Sequence, residues 1–314
     1  MSRGIGWYEM FREFVPEWAV VVLGLVTQLG DVWFLGALLG VVYWVATERR
    51  DEAAAVLGLA LTGLSLIAGL KHVFALPRPE RVLAEVGALP EAIHPLYYAT
   101  ATATGYGFPS GHAMMTTIVY LSLAEYLAVG TRRQRYVGAA GLVTLVSFSR
   151  VGLGVHYVVD VVAGAGVGLA FLLVAWRLLD RYPSHRGTVG FALAVTVAGG
   201  ALVTTDADPD AVLLAGASLG ALAGWQLAVL ARALDTGRGP IRTSRPLAAR
   251  AVATVLALAS LVAAIAAGWV DFTPLLTGSG ALGLVVAAFV ATPVLLRCDG
   301  GVRGLGRRAV AASR

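Results

Sequence analysis

Three short polar segments interrupt an otherwise apolar chain, and each holds residue types suited to a phosphate ester. Lys71-His-Val-Phe-Ala-Leu-Pro-Arg78-Pro79 comes first, Pro109-Ser110-Gly111-His112 second, and Ser149-Arg150-Val-Gly-Leu-Gly-Val-His156-Tyr-Val-Val-Asp160 third. A phosphate ester repels anionic nucleophiles, so a catalyst must spread its charge over fixed donors. Lys71 and Arg78 lie about two helical turns apart and can face one pocket. Arg150 offers a planar fork to two phosphate oxygens. Ser110 stands at the expected N-cap of a following helix, whose free N–H groups and dipole suit an anion, and Gly111 lets the backbone come close. His156 and Asp160 are one turn apart, so the carboxylate can accept from Nδ1 and leave Nε2 unprotonated for attack. A protonated His112 can donate to a departing oxygen.

Written as K-x6-RP, PSGH and SR-x5-H-x3-D, these segments resemble the signature of the type 2 phosphatidic acid phosphatase superfamily, which includes vanadium haloperoxidases and bacterial class A acid phosphatases. Every fixed position is matched, in order, and the resemblance covers about residues 18–204. It implies that His156 forms a phosphohistidine, that His112 is the general acid, and that Asp160 orients His156. It further implies that Lys71, Arg78, Ser110, Gly111 and Arg150 bind the phosphate. No metal or other cofactor is implied, since three cations are already present.

These residues need elements to hold them. The chain is 58% hydrophobic and only 14% charged, with mean hydropathy +0.76. Apolar runs fall at about 18–46, 53–75, 110–129, 135–150, 155–178, 188–204, 210–233, 246–268 and 276–297, most of them near the ~20 residues that cross a bilayer. This predicts an all-α polytopic membrane bundle: a six-helix phosphatase core plus about three C-terminal transmembrane helices. The expected divisions are an N-terminal extracytoplasmic or interfacial segment, 1–17, the core, 18–204, and a C-terminal extension with a basic tail, 205–314. No cleavable signal peptide is evident in 1–17. The first run breaks at Gly30-Asp31, where Asp31 is expected to cap a second half-helix, giving one tilted, broken crossing; a re-entrant pair is the alternative. Of the 24 basic residues one is lysine, Lys71, and 18 of the 23 arginines fall in one set of alternate loops. The positive-inside rule makes that set cytoplasmic. The three motif segments then lie outside, the C-terminus lies inside, and the expected site is a cell membrane.

A site at the membrane boundary can take substrate from the leaflet, so the expected substrate is a membrane lipid phosphate or diphosphate. The nine-crossing layout and the string PSGHAM at 109–114 also resemble the glucose-6-phosphatase branch, which makes a soluble sugar phosphate the second reading. An inert binding or transport protein is the third, opposed by the complete His112, His156 and Asp160 set. No nucleic-acid partner is expected. Gly216, Gly220 and Gly224 recur every fourth residue, the spacing of a close helix contact, within the chain or in a homodimer. The 76–108 connection, with Glu80, Arg81, Glu85, Glu91 and His94, is long enough for a lid. His72 is expected to face away from the site, His185 and Glu125 to lie at the far end, and lone Cys298 to be a bland interfacial residue.

Overall fold

The computed structural model describes residues 18–79, 91, 94–101, 104–235 and 274–312, with side chains as far as 296. Every regular element among them is helical. The helices are α1 (Trp18–Gln28), α2 (Val32–Val45), α3 (Arg50–Phe74), α4 (His94–Ala101), α5 (Gly111–Tyr126), α6 (Arg132–Gly152), α7 (Val158–Arg181), α8 (Arg186–Thr204), α9 (Pro209–Asp235) and α10 (Pro274–Ala312). The chain divides into two compact units, residues 1–211 and 212–314. The protein is a multi-span membrane protein: among the described residues five helices are long and apolar enough to cross a bilayer alone, and the α1/α2 pair, counted as one span, makes a sixth. The 16-residue α5 and the arginine-flanked α6 are absent from that set. The 246–268 run, residues 1–17, the 80–90 stretch and the side chain of Cys298 lie outside the described residues.

The first unit is built around α5, whose residues from Ala113 to Ala124 are buried on nearly every side. Leu35, Leu39, Val56 and Leu123 pack along one flank, and Leu59, Ile67, Leu172 and Leu179 along another. In lipid, burial of apolar side chains drives little, and close packing through small residues takes over. α3 and α8 meet backbone to backbone at Gly58 and Gly190: a Cβ on Gly58 would lie 2.3 Å from the Gly190 carbonyl carbon. α7 meets α5 the same way, since a Cβ on Gly164 would lie 2.4 Å from the Ser110 carbonyl oxygen.

Local chemistry sets the helix ends. α3 opens with Asp51 and Glu52 and closes with Lys71 and His72, complementing its dipole at both ends. It stops at Ala75, in the left-handed region at φ 47°, with Pro77 and Pro79 following. Asp31 caps α2 as expected, accepting from Val32 N at 3.0 Å. α1 and α2 bend by 40° at the break, a continuation rather than a reversal, which favours one broken crossing. The 76–108 connection is not bare loop, because α4 forms within it and packs on α1.

The arginine-rich connections share one end of this unit. Arg49 donates to Tyr126 O, Arg135 to Ala124 O, and Arg186 pairs with Glu52 and Asp180 while lying over the Tyr126 ring. Glu125 joins them there, bonded to Arg132 and Tyr136, as its sequence position suggested.

In the second unit the glycine row of α9 is occupied by the chain itself. Gly216, Gly220 and Gly224 lie against Ser279, Gly283 and Ala287 of α10, and a Cβ on Gly220 would sit 1.9 Å from Gly283 O. The homodimer contact is corrected accordingly: these glycines are covered by their own α10.

Candidate active site

The end of the first unit opposite the arginine-rich connections collects the C-terminus of α3, the N-terminus of α5, the C-terminus of α6 and the N-terminus of α7. All three polar segments therefore meet. Ser110 N donates to Asp160 O at 2.9 Å, and Gly164 and Gly168 let α7 lie directly on the start of α5. Arg78, just past α3, reaches across to the segment before α7. Its Nε donates to Thr104 O, and its Nη1 donates to Val155 O and to His156 Nε2, each at 3.1 Å.

The Arg78–His156 contact decides a tautomer. A guanidinium has only donors, so His156 Nε2 must accept, and the ring proton sits on Nδ1. Burial pushes the His156 imidazole down to about 4; the Asp160 carboxylate opposes the fall, and Arg78 and Arg150 add to it. The ring is thus a free base at neutral pH. Arg78 is itself lowered by burial, with the Asp160 charge acting against the fall.

Asp160 is fully buried and sits 3.5 Å from His156 Nδ1, on the expected side of the ring. At this separation the contact is long for a hydrogen bond, and the same Oδ2 also accepts from Tyr157 N at 3.0 Å. Asp160 thereby closes the first turn of α7 and faces the imidazole as a charge. Ser110 holds the N-cap position of α5 without capping it through its hydroxyl. Ser110 Oγ, Arg150 Nε, His112 Nε2 and His156 Nδ1 are all buried without a hydrogen-bond partner in the chain. An unpaired buried donor costs about 1–3 kcal/mol, and a tetrahedral oxyanion offers the acceptors that Ser110 Oγ and Arg150 Nε lack. Arg150, Arg78, Lys71 and His156 lie within electrostatic reach of His112, so the eight expected site residues occupy one end of one unit.

Two participants escaped the motif reading. Arg150 Nη1 donates to Thr27 Oγ1 at 2.9 Å and to Thr100 O at 3.3 Å. Asp31 Oδ2 lies 3.9 Å from His112 Nε2. Both come from the α1/α2 break, where Asp31 reads as a cap and Thr27 lies in an apolar run. His72 faces away, toward Asp208 and the Tyr106 ring, as expected. His94 lies edge-on to Tyr98. No cluster of three or more metal-ligating side chains occurs among the described residues.

Residues 52–184 match the PAP2 superfamily profile, and all eight residues fall within that stretch. This segment is similar to the PAP2 superfamily. Phosphatidylglycerophosphatase B of Bacillus subtilis (strain 168) is 35% identical over 91 residues, 27% of this chain and 45% of that protein. Lipid phosphate phosphatase delta of Arabidopsis thaliana is 33% identical over 144 residues, 40% of this chain and 32% of that protein. The chain thus spans less than half the length of the curated relatives it matches. A crystal structure of a transmembrane PAP2-type phosphatidylglycerolphosphate phosphatase from Bacillus subtilis overlaps 56% of this chain and 83% of that one, at 24% identity and a TM-score of 0.43.

Proposed function

We propose that this protein is a metal-independent membrane phosphatase that hydrolyses a lipid phosphate or diphosphate at the extracytoplasmic face of the cell membrane, with His156 as nucleophile. The observation that carries the reading is the Arg78 donation to His156 Nε2. It leaves the lone pair on the nitrogen turned toward the cation cluster and puts a guanidinium where phosphate oxygens must sit.

In the proposed reaction Arg78 exchanges His156 Nε2 for a phosphate oxygen. Lys71, Arg150, Ser110 Oγ and the free N–H groups at Gly111 hold the others. Nε2 attacks phosphorus in line with the departing oxygen, which takes a proton from His112. The imidazole becomes cationic as the Nε2–P bond forms, and buried Asp160 stabilises that charge. Water, deprotonated by His112, then cleaves the phosphohistidine. Lys71, Arg78 and Arg150 supply the positive charge that a metal provides elsewhere.

Support for a lipid substrate comes from the names of both curated relatives and from the surroundings of the motifs. Val73, Phe74, Tyr106, Val158 and Val159 are exposed apolar neighbours of Lys71, Ser110 and His156 in sequence. Support for the face comes from the arginine distribution, which puts the opposite end in the cytoplasm. The test is phosphate release in nanodiscs from phosphatidate, a polyprenyl diphosphate and glucose 6-phosphate, with and without EDTA. We expect turnover of a lipid that EDTA leaves intact, and loss of more than ~99% of it in His156→Ala. Turnover of glucose 6-phosphate alone transfers the reading to a sugar phosphatase, and turnover of none supports the inert one.

A further inference from the structure

The break between α1 and α2 is tied to the site at three points. Thr27 Oγ1 accepts from Arg150, Leu29 O accepts from Tyr120 Oη at 2.6 Å, and Asp31 faces His112. Gly30 makes the approach close, since a Cβ there would meet Val146 Cγ1 at 2.7 Å and His112 Cδ2 at 3.1 Å. None of these four residues lies in the superfamily match, which begins at residue 52. His112 is otherwise surrounded by positive or proton-bearing groups, Arg150, His156, Lys71 and Arg78. Asp31 brings the opposing charge. The Asp31 and His112 side chains keep 29% and 23% of their surface exposed, so the pair is screened but not bulk-solvated.

We propose that Asp31 is a positioning residue for His112: its carboxylate holds the Nε2 proton of the imidazole and leaves Nδ1 as the nitrogen that exchanges a proton with substrate. The site is then two mirrored pairs. Asp160 stands on the Nδ1 side of His156 and frees Nε2, while Asp31 stands on the Nε2 side of His112 and frees Nδ1. In the first step the His156 Nε2–P bond forms as the P–O bond breaks. The electron pair goes to the departing oxygen, which takes the Nδ1 proton of cationic His112. His112 is left neutral, with its remaining proton toward Asp31. In the second step Nδ1 takes a proton from the attacking water, which restores the cation beside the carboxylate.

The inference rests on the phosphatase reading, and its test separates the two. Asp31→Asn keeps a good N-cap for α2 and removes only the charge. A departing alkoxide needs a proton and a nitrophenolate does not, so the two report on proton delivery. In nanodiscs, Asp31→Asn should lower kcat/KM, which reports through departure of the leaving group, by about tenfold or more on phosphatidate and by less than about twofold on p-nitrophenyl phosphate. Independently of turnover, 15N spectra of the imidazoles recorded at alkaline pH, where the ring is neutral, with His112 assigned through His112→Asn, should show a protonated Nε2 in the parent protein. That resonance should move toward a tautomer mixture in Asp31→Asn. An unmoved resonance, an unchanged rate on phosphatidate, or an equal loss on both substrates overturns the proposal. If the parent protein turns over neither substrate, the phosphatase reading fails, and the spectra still decide what Asp31 does.

Discussion

Replacing Asp160 with asparagine isolates the charge behind the proposed nucleophile, His156. The substitution is isosteric, and its carbonyl oxygen can still accept from Tyr157 N, so the first turn of α7 is preserved. What disappears is a full negative charge 3.5 Å from His156 Nδ1, at a position with no exposure to solvent. Two unit charges at that separation interact by about 5 kcal/mol at an effective dielectric of about 20. The imidazole is neutral before attack and cationic after it, so nearly all of that energy belongs to the transition state and the intermediate rather than to substrate binding. The amide dipole returns roughly 1 kcal/mol of it. At about 1.4 kcal/mol per factor of ten, kcat for Asp160→Asn should fall on the order of a thousandfold, with KM within about threefold. The assay is steady-state phosphate release from the best lipid of the panel, alongside thermal unfolding in detergent to show that the fold survives. A loss under tenfold in a folded variant refutes the charge-stabilisation argument. A loss confined to KM refutes the assignment of Asp160 to the nucleophile and makes it a binding group.

Burial holds His156 as a free base down to about 4, so the acidic limb of kcat/KM should lie near that pH, not near the ordinary histidine value; a limb near 6.5 contradicts the buried nucleophile. The sign for stability follows. A neutral buried histidine stabilises the fold fully above its unfolded value, and that contribution is lost as pH falls from about 6.5 to about 4, which detergent melts across this range will register. Gly164→Ala puts a methyl group 2.4 Å from Ser110 O, so α7 must retreat from α5. It should lower both the melting temperature and kcat, whereas Gly166→Ala, which meets nothing within 4 Å, should lower neither.

The motifs were legible because their residues sit at helix ends, where polar side chains stand out against apolar runs. Lys71 closes α3, Ser110 and His112 open α5, Arg150 closes α6, and His156 and Asp160 flank the start of α7. Helix polarity alone brings those ends to the same side of the bundle. Asp31 was legible as a cap and not as a partner of His112, since its neighbour is 81 positions away and no spacing rule links them. Gly164 and Gly168 were invisible for a related reason. Their spacing resembles that of Gly216, Gly220 and Gly224, and only the fold reveals that one set seats α7 on the site while the other seats α9 on α10. The sequence placed Asp160 beside His156 and did not show that its Oδ2 also accepts from Tyr157 N.

Ser110 N and Asp160 O share a peptide hydrogen bond although fifty residues of chain separate them. The stretch of backbone that would grip an oxyanion and the one that aims His156, the proposed nucleophile, are therefore a single mechanical part. A wedge driven into that seam tilts the line of attack and misaligns the leaving oxygen together. Natural variation has little room there, and is more readily accommodated at exposed Val73, Phe74 and Tyr106, which can change size without shifting this joint.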